Sequence, residues 1–129
     1  MAKIERFEDI ESWKLAREVT RLIYEASSVG NFDPDFALRD QIRRSSISIM
    51  SNIAEGFERG GDKEFVQFLS VAKGSCAEAR AQMYVALDQK YVSANEFDSI
   101  YGKLDETGRL IGGLMKCLRQ SDLKGSKFA

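Results

Sequence analysis

The sequence predicts an all-α protein folded as an antiparallel up-down-up-down four-helix bundle. In four segments of the chain, apolar residues recur every three or four positions, which is the spacing that gives a helix one apolar face. No segment shows the strict alternation of apolar and polar residues that is typical of a half-buried strand. The links after the second and third segments are only a few residues long, and such short links place consecutive helices side by side and antiparallel.

The first predicted helix runs from about Glu11 to Ser28, and Gly30 and Asn31 end it. Its polar residues fall largely off one apolar stripe. That stripe contains Trp13, Ala16, Val19, Leu22, Ile23 and Ala26.

The second predicted helix runs from Pro34 to about Glu58. Asp33 is the expected N-cap, and the fixed φ angle of Pro34 suits the first turn. The Gly60-Gly61 pair then interrupts the helix. Its main stripe is small and apolar, which suits close packing inside the bundle, and contains Leu38, Ile42, Ser45, Ser46, Ile49, Ile53 and Gly56.

The third helix is expected to begin near Asp62, and its apolar residues show heptad spacing. They are Phe65, Leu69, Ala72, Cys76, Ala79, Met83 and Ala86. The fourth helix opens at a capping-box pattern formed by Ser93 and Glu96, and it is expected to fray near Ser121. We therefore predict one domain over residues 1–120 and a disordered tail over residues 121–129.

Composition fits one soluble domain with an ordinary core, because 43% of the 129 residues are hydrophobic. The net charge of -1 and the isoelectric point near 5.6 favour neither nucleic acid nor an acidic membrane as a partner of the whole surface. Any basic site must therefore be local. The charged N-terminal segment lacks the apolar run of a signal peptide, so we expect a cytoplasmic protein that does not bind membranes.

The sequence contains no histidine, which excludes Ser-His and Cys-His nucleophile pairs and histidine-ligated metals. Cys76 and Cys117 each lie in an apolar-periodic segment, so we expect two reduced core thiols rather than a metal site or a disulfide. No residue stands out as catalytic. We predict a protein that is not an enzyme, with no metal, no cofactor and no small-molecule substrate.

A second stripe on helix 2 contains Ile47, Met50, Ala54 and Phe57, where a monomeric bundle would ordinarily be polar. Two interpretations stay open: the neighbouring helices cover this stripe, or it is a subunit interface. A separate pattern concerns Gly74, Gly108 and Gly112, which lie inside predicted helices and are expected to mark a close approach between helix backbones.

Five basic residues on or beside helix 2 are the candidates for nucleic-acid binding: Arg39, Arg43, Arg44, Arg59 and Lys63. In one subunit they could form a solvated face with ion pairs to nearby acids such as Glu55. In a ring of subunits, a repeated Arg43-Arg44 pair would instead concentrate positive charge and bind phosphates. No surface row of aromatic residues is expected, since Phe65, Phe68, Phe97 and Tyr101 are predicted to lie in the core.

Several motifs make the chain resemble a known family. The motifs are FEDI (7–10), WKLA (13–16), QIRRS (41–45), SIMSNIAEG (48–56), EFVQFL (64–69) and AKGS (72–75), with Glu78. Over residues 7–120 the chain resembles the four-helix bundle proteins first noticed as reading frames within intervening sequences of bacterial 23S ribosomal RNA genes. Met50 stands where that family often has proline.

The resemblance implies an all-α protein that assembles as a ring-shaped homopentamer without known enzymatic activity. A distant relative in diversity-generating retroelements is a strongly basic pentamer that works with a reverse transcriptase and nucleic acid. Two hypotheses follow. The protein is a homo-oligomeric scaffold or adaptor that binds RNA, DNA or a nucleic-acid enzyme, or it is a purely protein-binding or self-assembling module whose arginines form intersubunit ion pairs.

Overall fold

A computed structural model describes the backbone of residues 4–125 and the side chains of residues 4–121. Over this range the chain is all-helical and contains no strand, as predicted. A short 3-10 turn, Phe7–Asp9, comes first. The four helices that follow are α1 (Glu11–Ser27), α2 (Phe36–Glu58), α3 (Asp62–Asp88) and α4 (Ala94–Gly125).

The helices form a bundle in which each packs on two neighbours: α1 and α3 both contact α2 and α4. The order of contacts shows that neighbours run antiparallel. Between α2 and α3, Ser45 Oγ lies 3.0 Å from Gln82 Oε1. Ser48, which comes later in α2, has its Oγ 2.9 Å from the Oγ of Ser75, which comes earlier in α3. The same reversal is seen between α1 and α2, where Thr20 contacts Ser46 and the later residue Ser27 contacts the earlier residue Arg43. It is also seen between α3 and α4, where Arg80 contacts Asp105 and the later residue Tyr84 contacts the earlier residue Phe97.

The core contains most residues of the main apolar stripes predicted on the first three helices, together with residues of α4. The largest fully buried side chains on the helices include Ile23, Ile42, Ile49, Ile53, Leu69, Met83, Leu104 and Ile111. Trp13 and Leu22 lie only partly in the core. The sequence patterns did not predict Phe32, which lies in the α1–α2 connection, is 1% exposed and stacks on Tyr91 with ring centroids 5.1 Å apart.

Helix α2 begins two residues later than predicted, because Asp35 rather than Asp33 is its N-cap. The Asp35 carboxylate accepts a hydrogen bond from the Leu38 amide (3.2 Å) and one from the Tyr91 hydroxyl (2.8 Å). Pro34 lies in the preceding turn, where its carbonyl accepts from the Phe36 amide. The tertiary contact with Tyr91 thus favours one of two nearby aspartates as the cap.

The start of α4 confirms the predicted capping box. The Ser93 amide donates to Glu96 Oε1 (2.9 Å), and the Glu96 amide donates to Ser93 Oγ (3.1 Å). The helix continues to Gly125, beyond the predicted end near Ser121. Residues 126–129 of the predicted tail lie outside the described residues.

The two cysteines are free thiols in different environments. Cys76 is buried as predicted, and loss of solvation raises the pKa of its thiol to about 12. Cys117 is only half-buried and lines a cavity beside Phe57 and Leu118, so its assignment to the core was wrong.

A close helix approach occurs at Gly56, where an added Cβ would lie 2.6 Å from the Cβ of Phe68. The close approach predicted at Gly74, Gly108 and Gly112 is wrong. A Cβ at Gly74 would meet nothing within 4 Å, and one at Gly108 or Gly112 would make its nearest contact at 3.7 Å, an ordinary van der Waals distance. Close packing therefore explains only Gly56.

Substituting two helical glycines should have opposite effects on stability. Gly74→Ala should raise the free energy of unfolding by up to about 1 kcal/mol, because alanine favours the helix and has room for its methyl group. Gly56→Ala should lower it by about 1–3 kcal/mol, because its Cβ would collide with Phe68. Urea unfolding of both variants measures the difference. Equal effects would contradict the described α2–α3 packing.

The Asp35 cap should make stability depend on pH. The hydrogen bonds from Tyr91 and from the Leu38 amide lower the pKa of Asp35 in the folded protein. Its contribution is therefore present above the ordinary aspartate range and is lost as the pH falls through the lowered folded-state value.

Asp35→Ala should accordingly lower the Tm at neutral pH, and the difference from wild type should narrow on acidification. Tyr91→Phe, which keeps the ring that stacks on Phe32, should cause part of the same loss. Thermal unfolding followed by circular dichroism tests this. A Tm difference that stays constant from neutral to acid pH would refute the role of the charged cap.

Candidate nucleic-acid interface

Arg43 lies on α2 and reaches across to the end of α1. Its Nε donates to Ser27 Oγ (2.8 Å), and a terminal guanidinium nitrogen donates to Ser28 Oγ (3.0 Å). The guanidinium also lies over the ring of Tyr24, 4.4 Å from its centroid. Among the described residues Arg43 has no carboxylate partner, so these contacts orient its charge without neutralising it.

The local sequence explains why Arg43 is held there. The last turn of α1 contains no basic residue, and the hydroxyls of Ser27 and Ser28 donate to the Tyr24 carbonyl (3.4 and 2.6 Å). A helix C-terminus carries partial negative charge and favours a nearby cation. Antiparallel packing brings Arg43 to this end, where it supplies the cation from the neighbouring helix.

Arg44 is exposed and forms no hydrogen bond or ion pair with any described side chain. Arg43 and Arg44 are therefore consecutive residues of α2 whose positive charges have no carboxylate partner among the described residues, one directed toward α1 and the other exposed to solvent. Arg39, one turn earlier, differs from both because it pairs with Asp33 (3.4 Å) and Asp40 (3.2 Å).

Two exposed aromatic residues that the sequence patterns did not single out lie beside Arg43 and Arg39. Tyr24 is 38% exposed beside Arg43, and Phe36 is 62% exposed with the Arg39 guanidinium 4.6 Å from its ring centroid. Both residues fall off the apolar stripes of their helices, a signal in the sequence that could have identified them. Of the aromatics assigned to the core, Phe65 and Phe97 are buried, but Phe68 and Tyr101 are only half-buried.

Arg59 and Lys63 lie near the opposite end of α2. Sixteen residues of helix separate Arg59 from Arg43, a rise of about 24 Å. Arg59 pairs with Glu55 (2.8 Å), whose hydrogen bond raises the pKa of the guanidinium, and it lies over Phe68. The structure therefore divides the five basic candidates into two groups. It places Arg39 and Arg59 in ion pairs and leaves Arg43, Arg44 and Lys63 without a carboxylate partner among the described residues.

The second apolar stripe of α2 is covered unevenly. Met50 and Phe57 pack partly against the core, and the Phe57 ring lies edge-on to Phe65 with centroids 6.0 Å apart. Ala54 is half-buried, whereas Ile47 is 42% exposed. Neighbouring helices thus cover part of this stripe, and Ile47 is its solvent-facing residue. A role of the four residues in a subunit interface stays a prediction.

Two further features bear on function. Within the described part of the chain, no group of three or more acidic or cysteine side chains is arranged to hold a metal ion. No described helix has the length and apolar content needed to cross a membrane.

The family model described as "23S rRNA-intervening sequence protein" matches residues 8–113. No curated protein matches.

A similar solved structure is that of a protein of unknown function from the S23 ribosomal protein family of Bacteroides thetaiotaomicron VPI-5482. It is 22% identical, the match covers 81% of this chain and 95% of that one, and the TM-score is 0.74, which supports the fold. Since the family model spans most of the sequence, the chain belongs to the 23S rRNA-intervening sequence protein family.

Proposed function

We propose that this protein is a non-enzymatic, homo-oligomeric scaffold that binds the phosphate backbone of RNA or DNA through Arg43 and Arg44. The observation that carries the proposal is the pair of adjacent arginines without carboxylate partners, one of them oriented by Ser27, Ser28 and Tyr24. Phosphate oxygens accept well from guanidinium groups, and such contacts need no particular base sequence.

One chain offers only a small basic spot on a surface whose net charge is -1. Repetition around an oligomer would bring several copies of the spot to one nucleic acid, and linked weak contacts then give a much higher overall affinity. The exposed Ile47 on α2 supports self-association, and resemblance to the family implies a pentamer. A nucleic-acid enzyme could join such a scaffold as a further partner.

The proposal predicts binding that falls steeply with salt. Nuclease-treated protein should bind labelled RNA, and the affinity should drop between about 50 and 200 mM salt, because each phosphate contact releases counterions. The double variant Arg43→Gln/Arg44→Gln should bind every RNA sequence more weakly. The plot of the logarithm of the binding constant against the logarithm of the salt concentration should become less steep by about two per engaged subunit. Fluorescence anisotropy at several salt concentrations measures both quantities.

The matched control is Lys116→Gln/Arg119→Gln, which removes the same charge from exposed positions on α4, the helix that lies diagonally across the bundle from α2. It should leave the affinity and the salt slope nearly unchanged. Equal losses of RNA affinity in the two double variants would indicate a general effect of net charge and would contradict a specific role of Arg43 and Arg44. Absence of binding by the wild type at low salt would refute the proposal.

A second candidate function is a self-assembling or protein-binding module without affinity for nucleic acid. The position of Arg44 favours it, because Arg44 lies three residues before Ile47 and so shares the outer face of α2. In an oligomer that arginine could pair with an acid of the next subunit. Arg44→Glu would then break the oligomer, whereas the intact oligomer would bind no nucleic acid at any salt concentration.

The Ile47 face should contribute to self-association. Ile47→Glu should raise the dissociation constant of the oligomer at least about tenfold and change the stability of the single chain little, because the side chain is 42% exposed. Leu110→Glu is the control, since Leu110 is 38% exposed on the diagonal helix α4. Sedimentation velocity compares the two. A wild type that stays monomeric at micromolar concentration would remove the oligomer from the proposal.

A further inference from the structure

A second basic site lies between α3 and α4, away from the arginine pair on α2. A cavity of about 290 Å³ opens there. Its lining consists of Lys73, Arg80, Asp105, Gly108, Arg109 and Gly112. Its charged residues come from two helices and lie far apart along the chain.

Positive charge dominates this α3–α4 cavity. One carboxylate, Asp105, faces three cations and pairs with two of them, Arg80 and Arg109, each at 3.3 Å. Lys73 has no carboxylate partner among the described residues. The lining residues therefore carry a formal net charge of about +2, which an anion can offset.

The arginines keep unused hydrogen-bonding capacity. Both contacts to Asp105 are longer than the roughly 2.7–2.9 Å of a strong charge-assisted hydrogen bond. The Nε of Arg80 is buried and has no hydrogen-bond acceptor among the described residues. A guanidinium group carries five N–H donors, so one shared carboxylate leaves most of those of Arg80 and Arg109 without an acidic acceptor.

The two glycines leave the wall of the cavity open. Gly108 and Gly112 are one turn apart on α4, and a Cβ at either position would make only ordinary contacts, at 3.7 Å to Cys76 Cβ and 3.7 Å to Lys73 Cε. Each glycine costs the helix about 1 kcal/mol relative to alanine, and helix packing does not require it. Their effect is to leave room beside the Lys73 ammonium, which lies 3.8 Å from the Cβ position of Gly112.

We propose that the α3–α4 cavity binds a phosphate group. A phosphate dianion matches the net charge of about +2, and its oxygens suit the planar N–H donors of Arg80 and Arg109 together with the point charge of Lys73. The volume is near the lower limit of ligand sites, which fits a phosphate with a short attached group rather than a large apolar ligand. This site shares no residue with the proposed function on α2.

Isothermal titration with pyrophosphate at neutral pH and low salt tests the proposal on the full chain. The wild type should bind one pyrophosphate per chain, and Lys73→Gln should weaken binding at least about tenfold. Gly112→Leu, which keeps every charge but fills the cavity, should weaken it as strongly. Lys90→Gln, outside the cavity after the end of α3, should leave it unchanged.

Circular dichroism establishes that each variant is folded. Competition against bound pyrophosphate distinguishes two sources of the phosphate. Displacement by adenosine monophosphate but not by adenosine indicates that the site takes a small phosphate ester. Displacement by an oligonucleotide without terminal phosphates indicates that it takes the backbone of a nucleic acid. Both results support the site.

Absence of saturable binding by the wild type, or binding that neither Lys73→Gln nor Gly112→Leu changes, overturns it. Arg43→Gln/Arg44→Gln should leave pyrophosphate binding intact, so the two proposals can fail separately.

Discussion

The rotation of α2 about its own axis determines how closely this helix packs on α3 and where its exposed residues point. Small residues let this helix approach its neighbours closely: Gly56 lies directly under Phe68 of α3, and Ser48 meets Ser75 at 2.9 Å. The buried hydroxyls of Ser45 and Ser46 donate to carbonyls of α2 itself, those of Gln41 and Arg43, and Ser45 Oγ also lies 3.0 Å from Gln82 Oε1 of α3. A turn of α2 in either direction would break its contacts with Phe68, Ser75 and Gln82 of α3.

The same rotation decides the chemistry of the basic residues. It directs Arg43 toward the serine-rich end of α1 and Arg44 into solvent, whereas Arg39 pairs with two acids close to it in the sequence, Asp33 and Asp40. Arginines that look equivalent in the sequence therefore differ in whether a nearby carboxylate neutralises their charge. On a chain with a net charge of -1, function by phosphate binding must come from such local differences rather than from the field of the whole surface.

Local patterns predicted the helices well because the apolar stripes and the Ser93–Glu96 capping box depend on residues close together in the chain. The N-cap of α2 was mispredicted because Tyr91, which supports Asp35, lies on a distant segment. Phe32 was missed for a related reason: a connection between helices has no period that shows which of its residues will be buried.

The sites were less predictable than the fold. The sequence identified Arg43 and Arg44, but the contacts that distinguish them from Arg39 and Arg59 come from α1 and from acids within a few residues of each arginine. The α3–α4 cavity depends on cations from two helices, and its glycines were attributed to packing because spacing alone cannot show on which side of a helix a partner lies.

Hydrogen–deuterium exchange of the oligomer with and without a bound RNA locates the surface that the nucleic acid covers. If Arg43 and Arg44 contact the phosphates, bound RNA should slow amide exchange at the C-terminal turn of α1 and in the first half of α2. The protection should disappear at high salt. Protection confined to the α2–α3 turn around Arg59 and Lys63, or unchanged exchange over the whole chain, would contradict the account.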